Sequence, residues 1–229
     1  MDLSVLIERS PATLPLRDDL SIAVRDINQT GNIVSIISAA EMPMRESPDT
    51  ATGNTPAARL ASAARGNASS YSGRWSFDQG LRLAATDLLA GEKKRAVVFV
   101  GAGAVPDNSN RWAAASLGAF DQYSLSELAA YLSNNNVVFY AVIIGGGAVG
   151  ADIRYLCQET GGSYLHLYRN EGIIPELKKL AEKPSGIYIL NYRSRLPTNF
   201  GRAYLTLDAE VYLMERSGRD STGFFPPLE

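Results

Sequence analysis

The stretch Val137-Val138-Phe139-Tyr140-Ala141-Val142-Ile143-Ile144, followed by Gly145-Gly146-Gly147-Ala148-Val149-Gly150 and a segment running to Thr160, decides the fold class. Its first part is apolar throughout, apart from one tyrosine hydroxyl, and rich in β-branched residues, which marks a strand covered on both faces. The glycines permit a sharp reversal, and Gly150 to Thr160 reads as a helix stopped by Gly161-Gly162. Ser163 to Tyr168 is a further strand, and Ile173 to Lys183 a helix closed by Pro184.

The same alternation extends toward the N-terminus. Ala96-Val97-Val98-Phe99-Val100, Ile33-Val34-Ser35-Ile36-Ile37 and Asp2-Leu3-Ser4-Val5-Leu6-Ile7 read as buried strands. Between them, Leu16 to Thr30 reads as a helix, and Phe77, Leu81, Ala84, Ala85, Leu88 and Leu89 keep the spacing of an amphipathic helix ending near Gly91. Ser124-Leu125-Ser126-Glu127 has the form of a capping box opening a helix to Leu132. From Met42 to Arg74 the composition shifts to small and polar residues; Thr55 to Ala68 predicts an Ala-rich helix capped by Thr55-Pro56, and the remainder reads as loop.

Strands this apolar, alternating with helices, imply a Rossmann-like α/β fold: a mostly parallel central sheet with helices on both faces. Residues 1–184 read as that domain, and 185–229 as a C-terminal β extension packed on it. Ile187 to Tyr192 and Ala203 to Leu213 are expected to pair antiparallel through a turn at Pro197 to Gly201 and to join the sheet edge.

Composition narrows function. Of 229 residues, Lys+Arg number 22 and Asp+Glu 24, a net charge of -2, so no global field attracts nucleic acid or anionic membrane. One cysteine excludes a disulfide framework or a cysteine zinc cluster, and one histidine argues against histidine-based hydrolysis. No apolar run approaches the roughly 18 residues of a membrane span. The chain opens directly on a core strand, which suggests a domain excised from a longer protein, with targeting information outside it.

The glycine run matches G-x-G-x-x-G after a strand and before a helix, the arrangement that brings backbone to a dinucleotide pyrophosphate. Against that reading, the run lies past the middle of the domain. Glu171 also falls beyond the position, about 20 residues on, where a ribose-binding acid is expected. The competing reading is a permissive chain reversal. Cys157 reads as a small core residue and His166 as a packing residue. Asp18-Asp19 and Lys178-Lys179 read as solvated helix faces. Asn28-Gln29-Thr30 and Asn67-Ala68-Ser69 match a glycosylation triplet that also arises by chance. Tyr188, Tyr192, Tyr204 and Tyr212 all fall in the C-terminal strands, where rings suit cross-strand pairing.

Taken in order, several segments resemble the von Willebrand factor type A family. Asp2 to Ser10 is similar to its first strand and the start of its D-x-S-x-S motif, and Lys94 to Val100 resembles its central strand. Val137 to Gly145 is similar to its "VYTIGVG" strand, and Leu156 to Tyr164 to its "LAEETGGxY" segment. Tyr192-Arg193-Ser194, Gly201-Arg202 and Arg219 to Pro226 resemble the ending of a bacterial subgroup.

The resemblance implies a divalent-metal site at the C-terminal edge of the sheet, built from an Asp and two Ser of that motif, a Thr before a helix and an Asp after the central strand. At those positions this chain carries Glu8, Ser10, Ala12, Trp75 or Ser76, and Gly101. A carboxylate and a hydroxyl are missing, too few hard oxygens for Mg²⁺. Hence the resemblance implies a degenerate metal-ion-dependent adhesion site, no metal and no cofactor. The expected function is non-enzymatic protein–protein interaction or scaffolding within a larger envelope-associated or extracytoplasmic bacterial protein. Glu8, Ser10, Trp75, Ser76, Asp107 and Trp112 form the expected partner-binding face, at the sheet edge where open α/β folds bind ligands. Two alternatives stay open: a metal-dependent adhesion module rescued by Asp78 or Asp107, and a nucleotide-binding enzyme using Gly145 to Gly150.

Overall fold

A computed structural model describes residues 1–29, 32–46, 55–71, 74–91, 93–103, 123–145, 148–182, 205–213 and 216–224. The chain divides into two compact units, Met1–Ile187 and Tyr188–Glu229.

In the first unit, the predicted apolar runs become β1 (Asp2–Glu8), β2 (Ile33–Ala39), β4 (Arg95–Gly101), β5 (Val137–Ile144) and β6 (Tyr164–Leu167). A two-residue strand, β3 (Met44–Arg45), lies in the stretch read as loop. The sheet order is β3-β2-β1-β4-β5-β6, parallel except for antiparallel β3. Beginning at β1, the chain first builds outward to β2 and then returns to β4 on the other side. That reversal makes the C-terminal ends of β1 and β4 the switch point, where successive loops leave toward opposite faces and open a crevice.

Helices α1 (Arg17–Gln29), α2 (Pro56–Arg65) and α6 (Ile173–Glu182) cover one face. Leu20, Val24, Ile27, Ala64, Ile173 and Leu177 pack there against Leu3, Val5 and Ile7. Helices α3 (Phe77–Asp87), α4 (Leu125–Asn134) and α5 (Ala151–Glu159) cover the other, placing Leu81, Ala84, Leu128, Ile153 and Leu156 over Leu6, Val97, Phe99 and Phe139. Two caps foreseen from sequence are formed: the Thr55 side chain accepts from Ala58 N–H, and Ser124 with Glu127 makes a full capping box.

Arg9 follows β1 and is fully buried on the α2 side. Its guanidinium donates to the carbonyls of Ala63 (2.9 Å), Ala64 (3.0 Å) and Arg65 (3.3 Å), groups at the end of α2 that have no helical partner. It also donates to the Tyr71 hydroxyl and the Ser38 Oγ, and sits over the Tyr71 ring. The negative end of the α2 dipole and Glu46, 3.8 Å away, oppose the buried charge. Gly66 has φ +58, and a Cβ there would meet the Arg9 guanidinium at 2.9 Å, so glycine answers both constraints.

The second unit contains β7 (Leu205–Leu213) and β8 (Arg216–Phe224), an antiparallel pair in register from Leu205↔Phe224 to Leu213↔Arg216. The described partner of Leu205–Leu213 is Arg216–Phe224, and among the described residues these two strands form a two-stranded antiparallel sheet; the expected partner strand, Ile187 to Tyr192, falls outside the described residues. The cause is proximity: only 214–215 separate them, as in the shortest hairpins. Arg-Ser-Gly-Arg-Asp-Ser-Thr-Gly carries no apolar alternation to announce a strand. Residues 187–192, with Tyr188 and Tyr192, and Tyr204 lie outside the described residues.

Two substitutions separate packing constraint from tolerance. A Cβ on Gly162 would lie 1.8 Å from the Phe139 carbonyl oxygen, backbone that cannot step aside, so Gly162→Ala should destabilise by about 3 kcal/mol in urea titration. Ser4 Oγ is buried beneath α3 without a hydrogen-bond partner, so Ser4→Ala should be neutral or stabilise by about 1 kcal/mol in the same assay.

Candidate functional site

The switch-point crevice is built from the ends of β1 and β4. Backbone pairing between these strands stops at Ile7↔Val100, one residue before Glu8. Past that point the Ala102 N–H has no β1 carbonyl opposite, and the Glu8 side chain takes its place: Oε2 accepts from Ala102 N at 2.7 Å. Oε1 accepts from the Ser10 hydroxyl at 2.5 Å. Below them, Thr13 Oγ1 donates to the Glu8 and Ser10 carbonyls, fixing the turn out of β1. Glu8 is 3% exposed and Ser10 6%. Burial pushes the Glu8 carboxyl above its ordinary value of 4.5, partly offset by the two hydrogen bonds.

Gly101 shows why this position has no side chain. A Cβ there would lie 2.3 Å from Phe99 Cζ and 2.5 Å from Glu8 Oε2. Phe99 cannot yield easily, because Trp75 stacks on it at 5.9 Å and Phe77 meets it edge-on at 5.2 Å. Trp75 and Ser76 are both buried, so within the expected partner face they serve the interior. Ser76 Oγ donates to Asp78 Oδ1 at 2.9 Å, and Asp78 Oδ2 accepts from Tyr123 N at 3.4 Å. Asp78 lies in the first turn of α3, where a carboxylate is favoured by the helix dipole. Ala12 is exposed and brings no oxygen. Asp107 and Trp112 lie outside the described residues. Among the described residues no group of three or more His, Cys, Asp or Glu is placed to hold a metal ion.

Within the glycine run, Gly150 makes a close backbone approach. Gly145 has φ +92, and Gly150 N–H donates to the Gly103 carbonyl at 2.8 Å, a distance at which a Gly150 Cβ would also meet that oxygen. Gly146 and Gly147 lie outside the described residues, and Asp152 occupies the first turn of α5, where it repels an approaching phosphate. Cys157 is buried and its thiol is pushed up to about 12, far from a reactive thiolate. His166 meets Tyr168 edge-on at 4.8 Å. Arg9 was not singled out from sequence. The signal was there: β1 continued by one residue turns position 9 to the face opposite Glu8, toward a helix end rich in orphan carbonyls.

The raised Glu8 carboxyl sets a pH dependence. The folded state holds this proton more tightly than the unfolded chain, so its contribution is complete below pH 4.5 and is lost as pH rises through the folded value. In Glu8→Gln the side-chain amide can still accept from Ala102 and face the Ser10 hydroxyl, without a charge to bury. Chemical denaturation across this range should therefore show the wild type losing stability relative to Glu8→Gln as pH rises; a constant difference would contradict the burial argument.

By sequence, no family model matches the chain, and no curated protein matches it. Solved structures do. Von Willebrand factor type A from Catenulispora acidiphila aligns at TM-score 0.58 and 13% identity, over 81% of this chain and 42% of that one. The SpRpn10 VWA domain aligns at TM-score 0.56 and 13% identity, over 83% and 98%. Proximal thread matrix protein 1 from the mussel byssus, in a form with a zinc-occupied MIDAS motif, aligns at TM-score 0.56 and 15% identity, over 79% and 45%. The chain thus spans less than half of the first and third of these proteins. Together with the strand order and the switch-point position, these likenesses establish that the chain has the fold of a von Willebrand factor type A domain.

Proposed function

We propose that this chain is a non-enzymatic interaction module that engages a protein partner at the C-terminal edge of its sheet without a metal ion. One observation carries the reading: the Glu8 carboxylate is committed to Ser10 and Ala102, at a site where Gly101 and Ala12 supply no oxygen. A divalent ion there would have to strip both hydrogen bonds and would find one carboxylate in return, far short of an octahedral oxygen set. The absence of enzymatic chemistry is supported by the buried, unreactive Cys157 and by His166, whose ring packs against Tyr168. With Glu8, Ser10, Trp75 and Ser76 buried, the surface offered to a partner by the described loops of this edge includes Pro11, Ala12, Met42 and Ala148, together with the exposed Arg74–Glu41 pair. Such a surface offers a partner both apolar contact and a solvent-exposed charge pair at its rim. Among the described residues no helix is long and apolar enough to cross a membrane.

A metal-dependent adhesion module is the second reading, favoured by the zinc-occupied motif of the mussel protein. Thermal melts with chelator, Mg²⁺ or Mn²⁺ separate the two. A bound ion at about 100 times its dissociation constant stabilises by about 2.7 kcal/mol, a shift of several degrees. The metal-free reading expects superimposable melts and partner binding that survives chelation; a metal-dependent rise would establish the second reading instead.

A further inference from the structure

Resting on the metal-free reading above, we propose that Glu8 is a built-in substitute for a bound ion: its side chain bridges the ends of β1 and β4 and fixes the form of the switch-point crevice. Three features of the site converge on this role. The Ala102 N–H lies just past the last β1–β4 pair, Ile7↔Val100, in a half-buried position where Glu8 supplies its acceptor. The Glu8 side chain, reaching across from β1, supplies the acceptor, and the reach of glutamate, one methylene beyond aspartate, fits that span. The Ser10 hydroxyl donates to the second oxygen, so the carboxylate is held at both ends and cannot swing out without breaking two bonds. Gly101 completes the device, because the volume above its Cα is filled by Glu8 Oε2 and the Phe99 ring.

Positions 8 and 101 are therefore coupled by exclusion. A side chain at 101 and the bridging Glu8 compete for one space, so the glycine is the complement of the longer acid. In this arrangement the crevice keeps its form with neither ion nor partner present, and Glu8 is a positioning residue for the edge that a partner meets.

A double-mutant cycle tests the coupling. Gly101→Ala should lower Tm by several degrees in the wild type, and its cost should fall measurably in a Glu8→Ala background, where the carboxylate is gone and the remaining cost is set by Phe99. Hydrogen exchange supplies a second measurement that needs no severe variant. The Ala102 amide should be protected in the wild type, stay protected in Glu8→Gln, and exchange about tenfold faster or more in Glu8→Ala. Equal cost of Gly101→Ala in both backgrounds, or an unprotected Ala102 amide in the wild type, would overturn the proposal while leaving the metal-free reading intact. A Mn²⁺-dependent rise in the wild-type Tm would overturn the metal-free reading itself.

Discussion

Strand β1 is hydrogen-bonded along both sides, to β2 and to β4, and buried on both faces from Asp2 to Glu8. Every layer of the first unit is organised around it. Leu3, Val5 and Ile7 enter the core beneath α1 and α6, while Leu6 enters the one beneath α3. In such a strand a buried polar group costs free energy unless its bonds are completed, as the unpartnered Ser4 Oγ illustrates. The two polar side chains at its exit meet this demand in opposite directions. Glu8 turns toward Ala102 and Ser10, and Arg9 turns toward the carbonyl end of α2.

These two residues show how one strand end can organise both faces of a sheet. Arg9 brings a charge into the interior and balances it with helix carbonyls, the Tyr71 ring and Glu46. Removing one partner of such a cluster leaves a buried charge uncompensated, which is why clusters of this kind persist once formed. Glu8 performs the corresponding task for the crevice. There one carboxylate accepts from one hydroxyl and one backbone amide, with the aromatic trio of Trp75, Phe77 and Phe99 walling the side.

Much of the fold was legible because its elements announce themselves locally. The runs at 96–100 and 137–144 are too apolar for anything but buried strands, Thr55-Pro56 and Ser124 to Glu127 are chemically explicit helix starts, and Gly161-Gly162 is an explicit stop. The elements that escaped lack such signals. Met44–Arg45 is too short for periodicity, and Arg216–Phe224 is polar and glycine-bearing, a strand only because β7 lies beside it. The candidate site was half legible: the resemblance points to positions 8, 12 and 101, but where Glu8 turns its side chain cannot be read from sequence, since that depends on which N–H the neighbouring strand leaves unpaired.

By itself, then, the sequence determined the strands and helices that carry local signals and the double covering of the sheet, because each is a property of residue type and near-neighbour spacing. Tertiary structure alone decided the contacts at the switch point. Gly101 is glycine because Phe99 and Glu8 occupy its side-chain space, Gly150 because the Gly103 carbonyl lies against it, and Arg9 is tolerated because α2 ends over it. The contacts of Glu8 with position 101, of Gly103 with Gly150 and of Arg9 with α2 join residues far apart in the chain, and only the packed sheet brings them within bonding distance.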